Sequence, residues 1–170
     1  MHFTLLDRIL EIQPGVSITA VKSLSLAEEY LQDHFPLFPV MPGVLMLEAM
    51  TQAGSWLVRA SEDFAHSIVL LKEARNVKYN DFVQPGETLT VTAEIIKQDE
   101  STVTVKARGA VDGVEAVSGR LVLHRCNRPE GARLGTLEEY TRRKMRQIFE
   151  MLCRGIPATV VQSPASQVAN

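Results

Sequence analysis

Residues 40–58, VMPGVLMLEAMTQAGSWLV, decide how this 170-residue chain must fold. The stretch is almost long enough to span a bilayer, yet it holds Pro42, Gly43, Glu48, Thr51, Gln52 and Gly54. A carboxylate near the middle of a lipid-embedded helix costs about 2.5–3.5 kcal/mol on insertion scales, so a water-soluble reading is expected. Pro42 suits a first helical turn, where a missing N–H is not needed, and a helix is expected from there to about Ala60. Its apolar residues fall on nearly every face: Val44, Leu45, Met46, Leu47, Ala49, Met50, Ala53, Trp56, Leu57 and Val58. That pattern belongs to a helix buried all round, so a sheet has to wrap it.

The flanking sequence supplies the sheet. Residues 6–12 and 16–24 alternate on either side of Gln13-Pro14-Gly15, a turn signal that predicts a hairpin. Ser25 with Glu28 three residues on predicts a short helix to about Leu31. After the long helix, residues 67–71 and 74–79 read as one interrupted strand. Residues 87–97 place Leu89, Val91, Ala93 and Ile95 on one face, and residues 103–111 alternate again. Asp112-Gly113 is a two-residue hairpin signal leading into a strand over 114–125. Two strands, a buried helix and four further strands, the last four joined by three tight turns, predict an α+β fold with an antiparallel sheet curled round one helix.

A second helix is expected at about 136–154, with Leu137, Tyr140, Ile148, Met151 and Leu152 roughly in line and a basic cluster at Arg142, Arg143, Lys144 and Arg146. The reading divides the chain into a main domain, 1–126, and an extension, 127–170, whose last fifteen residues read as a mobile tail. A net charge of −2, with 45% hydrophobic residues, argues against both disorder and nucleic-acid binding. Cys126 and Cys153 lack the paired spacing of a zinc site, and neither a disulfide framework nor a structural metal is expected. The N-terminus lacks a secretory pattern, so a cytoplasmic location is expected.

Between His34 and Arg59 the one ionisable side chain is Glu48. A lone carboxylate there fits a hydrogen-bonded structural role or an interface, and a histidine at the mouth of a Pro-rich loop is commonly structural. Together they suggest more. A carboxyl in apolar surroundings keeps its proton to higher pH and can serve as general acid, while a loop histidine suits a base. Gly43, at the helix start, offers a backbone N–H that a ligand carbonyl can approach closely, the requirement for an oxyanion hole; Pro-Gly also simply starts helices.

The block HFPLFPVMPGVLMLEAMTQA, with LLDRILEIQPG before it and NVKYNDFVQPGETL after it, resembles the β-hydroxyacyl-acyl-carrier-protein dehydratases of the FabZ type. The likeness covers about residues 5–125. It implies the hot-dog fold, an antiparallel sheet wrapped round a long helix, here with an extra C-terminal helix. It further implies that His34 removes the C2 proton of a 3-hydroxyacyl thioester, that Glu48 protonates the departing hydroxyl, and that the Gly43 N–H binds the thioester oxygen, without metal or redox cofactor. The family places the His and Glu of one site on different subunits of a dimer, often within a trimer of dimers. An interface tunnel for the acyl chain would be lined by Val44 and Gln52 of the helix, and by Phe82 and Val83. The acyl carrier protein would dock on a basic patch, either Lys72, Arg75 and Lys78 or the Arg142–Arg146 cluster.

One position departs from the family. Leu37 follows His-Phe-Pro where the family has Gly, and the side chain is expected at the tunnel mouth or the dimer interface. A hot-dog thioesterase and a non-catalytic acyl-binding subunit are the alternatives.

Overall fold

The computed structural model describes residues 3–127 and 134–156. Its elements are β1 (Arg8–Gln13), β2 (Ser17–Ser23), a 3₁₀ turn (Glu29–Gln32), α1 (Gly43–Ser61), β3 (Ile68–Tyr79), β4 (Thr88–Gln98), β5 (Thr102–Val111), β6 (Val114–Cys126) and α2 (Leu134–Leu152). The strands form one sheet in the order β1-β2-β4-β5-β6-β3, and every neighbouring pair is antiparallel. The sheet wraps α1, as the sequence predicts.

Period-two patterning places the core. Leu89, Val91 and Ala93 of β4 and Val103, Val105 and Ala107 of β5 face inward and are buried. In β1 a bulge between Ile9 and Glu11 turns both Ile9 and Ile12 inward, three residues apart, opposite Ala20 and Ile18. Gly54 brings α1 close to the sheet, since a Cβ there would lie 3.0 Å from Leu123 Cδ1 and 3.2 Å from Val105 Cγ2.

The helix is not covered all round within one chain. Met46, Ala49, Met50, Ala53 and Leu57 are buried, but Val44 is 69% exposed, and Leu45, Leu47, Glu48 and Gln52 are half-buried. The sheet reaches one flank and leaves the other open. Edge strand β3 is open too: from Leu70 to Tyr79 every residue except half-buried Val77 is exposed. Its expected interruption takes the form of two register shifts, between Leu71 and Glu73 and between Arg75 and Lys78, with Asn76 at φ 52°.

Two expectations need correction. The last four strands are joined by two tight turns, not three. Asp99–Ser101 connects β4 to β5, and Asp112-Gly113, at φ 48° and 84°, connects β5 to β6. β3 instead pairs with β6, and residues 80–87 carry the chain across to β4. Their backbone is tied in turn to Ala116, Met41 and Leu24. The helix expected from Ser25 is a later 3₁₀ turn. The Ser25 hydroxyl accepts from Ala27 N (3.2 Å) and its carbonyl from Glu28 N (3.1 Å), a local turn that competes with a helix.

The C-terminal helix runs over Leu134–Leu152, and its buried line is Met145, Phe149 and Leu152; Leu137, Tyr140 and Met151 of the expected line are exposed. The Phe149 ring lies 5.5 Å from Phe64 and 6.0 Å from Trp56. Arg146 donates to Asp63 Oδ1 (2.9 Å) and Asp63 O (2.6 Å), with its guanidinium 4.7 Å from the Phe64 ring. Ser67 Oγ donates to Glu138 Oε2 (2.8 Å). Apart from Ile156, the tail expected to be mobile lies outside the described residues.

Candidate active site

His34 leaves the 3₁₀ turn with its N–H donating to Tyr30 O (3.2 Å), and Pro36, Pro39 and Pro42 stiffen the loop that follows. Phe35 takes φ 51°, its ring 4.5 Å from His34, and Phe38 N donates to Phe35 O (2.7 Å). The left-handed residue that lets the loop turn is therefore Phe35. Leu37 has an ordinary backbone, is fully exposed and lines neither cavity described below.

A cavity of about 390 Å³ contains His34, Gly43, Met46, Tyr79 and Phe82 on its walls. Gly43 opens α1. Pro42 O accepts from Leu45 N (2.9 Å) and Met46 N (3.2 Å), so the N–H groups of Gly43 and Val44 belong to the first turn, which has no intrahelical acceptor for them. The Tyr79 ring rests on Gly43, where a Cβ would meet Cε1 at 3.0 Å. Phe82 stacks edge-on against Phe38 (5.6 Å).

Glu48 faces a different cavity, of about 220 Å³, shared with Thr51, Gln52, Ser55, Trp56 and Arg59 of α1 and with Leu70 and Leu71 of β3. Gln52 Nε2 donates to Glu48 Oε1 (2.8 Å) and to Phe3 O (2.9 Å), while its Oε1 accepts from Leu5 N (2.9 Å). Both amide protons of Gln52 are thus engaged, and the side chain orients Glu48.

Of the residues expected at the site, His34, Gly43 and Phe82 share one cavity, and Glu48 and Gln52 share the other. Val44 is exposed at the helix start and lines neither. Val83 points inward to the core, fully buried, with its carbonyl accepting from Met41 N (2.8 Å). The sequence reading missed Tyr79 and Arg59. The spacing of Glu48, Thr51, Ser55 and Arg59, one helical face, was the available signal for Arg59.

The basic clusters are partly neutralised. Lys72, Arg75 and Lys78 are exposed on β3, and Arg75 pairs with Glu73 (2.6 Å). Arg142 lies 3.5 Å from Glu138, and Arg146 pairs with Asp63 to hold α2 in place.

The family model for the FabA-like domain matches residues 1–120. The chain belongs to the FabA-like family. It is 36% identical over 119 residues to the 3-hydroxyacyl-(acyl-carrier-protein) dehydratase FabZ of Ruminiclostridium cellulolyticum, covering 70% of this chain and 84% of the relative. To the FabZ of Levilactobacillus brevis it is 40% identical over 116 residues, 68% of this chain and 78% of the relative. In three dimensions this FabA-like chain is similar to a chain of the dehydratase heterocomplex ApeI:P from Xenorhabdus doucetiae. There the TM-score is 0.59 at 21% identity, over 79% of this chain and 88% of the other, a likeness of fold. α2 lies beyond the family match.

Proposed function

We propose that this FabA-like chain is a dehydratase of (3R)-3-hydroxyacyl groups on acyl carrier protein, forming trans-2-enoyl groups in fatty acid or related lipid biosynthesis in the cytoplasm. The observation that carries the reading is the set His34, Gly43 and Glu48, held on the loop and helix that the family motif occupies. The relatives named above are dehydratases. His34 takes the C2 proton, the Gly43 N–H binds the thioester oxygen as enolate character develops, and Glu48 gives a proton to the C3 hydroxyl. The C2–H and C3–O bonds break, a C2–C3 double bond forms, and one water leaves. A positioned acid–base group contributes roughly 10²–10⁴-fold and an oxyanion donor roughly 10²–10³-fold.

The site is completed by a second copy. In one chain His34 and Glu48 line separate cavities, and the open flank of α1 and the exposed β3 edge leave room for a partner. A dimer, alone or within a trimer of dimers, would set His34 of one copy beside Glu48 of the other. Lys72 and Lys78 on β3 would meet the acidic carrier protein.

Turnover of 3-hydroxyacyl, enoyl and saturated acyl thioesters tests the reading. Interconversion of the first two without release of free thiol is expected. Thiol release would instead indicate a thioesterase, and binding without turnover an acyl-binding subunit.

A further inference from the structure

The cavity that holds Glu48 extends along one face of α1, past Thr51 and Ser55 to Arg59. Arg59 is unlike the other well-buried or paired arginines. Arg125 bonds Glu62, Arg146 bonds Asp63, Arg75 bonds Glu73 and Arg142 lies against Glu138. Among the described residues no carboxylate comes within ion-pair distance of Arg59. Its Nη1 donates to Ser55 O (3.3 Å), its guanidinium lies 5.5 Å from the Trp56 ring, and its Nε is buried with no hydrogen-bond partner among the described residues. Burial lowers its pKa to about 10, which leaves it cationic at neutral pH. Nε is thus shielded while the guanidinium opens on the cavity, a cation facing space in which no carboxylate of the described residues pairs with it.

Met145 and Ile148 of α2 add apolar lining to the same cavity, from beyond the part of the chain that the family model matches. The guanidinium folds back to the level of Ser55, seven residues from Glu48, or about 10 Å of helix rise. A reacting carbon beside Glu48 and a terminal group beside Arg59 would thus be separated by a short acyl chain.

We propose that Arg59, Trp56, Met145 and Ile148 form a subsite for the far end of the acyl group, and that the subsite takes an acyl chain ending in a carboxylate. The proposal rests on the dehydratase reading for the position of the thioester. A methyl terminus would leave the Arg59 guanidinium without an anion, whereas a carboxylate can accept two N–H bonds from it. The apolar wall from α2 packs the methylene chain and keeps water from the pair.

The test compares ω-carboxy and plain alkyl 3-hydroxyacyl pantetheine thioesters of equal length. The wild-type protein is expected to favour the ω-carboxy series by about tenfold or more in kcat/KM. Arg59→Met should bring that ratio to about one, and Arg59→Lys should retain part of it. The same pairs, as saturated acyl-pantetheine amides, are titrated by calorimetry, where the wild-type Kd ratio should run the same way. Absence of turnover in both series overturns the dehydratase reading, while the calorimetric ratio still decides the subsite. Wild-type discrimination within twofold in both measurements, or a preference that survives in Arg59→Met, overturns the proposal.

Discussion

His34 and Glu48 of one chain open into different cavities, His34 beside Gly43 and Tyr79, Glu48 beside Gln52 and Arg59. On the proposed dehydratase reading a base and an acid must reach adjacent carbons of one substrate, and the two groups would then come from different copies. His34→Ala and Glu48→Gln are each expected to lower dehydration by about 10²–10⁴-fold. In a two-fold dimer, mixed pairs hold one site with both groups intact, and co-refolding the two variants should recover up to about a quarter of wild-type activity. Steady-state turnover after subunit exchange measures this. No recovery despite exchange verified by mass spectrometry would place both groups in one chain's site.

Gln52 ties Glu48 to the backbone of Phe3 and Leu5. Gln52→Leu keeps the volume and removes three hydrogen bonds. Stability should fall by roughly 1–2 kcal/mol, since the buried end of the network loses its partners. Because the carboxyl of Glu48 also loses its orientation, kcat should drop about tenfold with a smaller change in KM. Thermal melting alongside Michaelis kinetics separates the two effects; a lower melting temperature with unchanged kcat would limit Gln52 to a structural role.

Gly43→Ala tests the close approach of Tyr79. The new Cβ meets the ring at 3.0 Å, and the ring, about half exposed, can move away by a few tenths of an ångström. Alanine is also the better helix former by up to about 1 kcal/mol, so stability should stay within about 1 kcal/mol of wild type. The displaced ring moves into the space it shares with His34, and activity should fall at least about tenfold. Equal activity in the variant would show that the close seat of the Tyr79 ring on Gly43 is not needed for turnover.

Tyr30 gives a pH signature. Its hydroxyl is buried without a hydrogen-bond partner among the described residues, and burial first, then the charges of Glu28 and Asp7, push its pKa up to about 12. The unfolded chain ionises this group near about 10. The neutral hydroxyl therefore favours the folded state fully below about pH 10, and that contribution is lost as pH rises toward 12. The stability difference between wild type and Tyr30→Phe should be constant from pH 7 to about 9.5 and then shift against the wild type. Urea midpoints across that range are the measurement, and parallel curves up to pH 11.5 would contradict the assignment.

The readable parts of this chain were those with local periods. Leu89, Val91 and Ala93 alternate and face the core; Asp112-Gly113 turns where two positive φ values are needed. The motif running from His34 to Gln52 was legible through its resemblance to a family whose model matches residues 1–120. Pairing between distant segments was less legible, and nothing within residues 68–79 says that β6 rather than β4 is the neighbour of β3. Phe82 and Val83 are adjacent, and which of them turns inward depends on the Met41 hydrogen bond to Val83 O. Leu37 stands at the family's Gly position, but the turn is made two residues earlier, at Phe35. Arg59 acquires its place only when α2 closes the cavity over Trp56.

The pairing of β3 with β6 also sets an order in time. As the chain leaves the ribosome, β3 and α1 appear before β6 exists, and the ring that β3 must close runs from Asn80 to Ala116. Hairpins with two-residue turns form in roughly 1–10 μs, whereas pairing across a long intervening segment waits on loop closure. β5 and β6, joined at Asp112-Gly113, can therefore form first and present β6 as the template on which β3 settles. A residue such as Gly113, remote from β3 and held at φ 84°, is then expected to influence how fast that edge strand is captured.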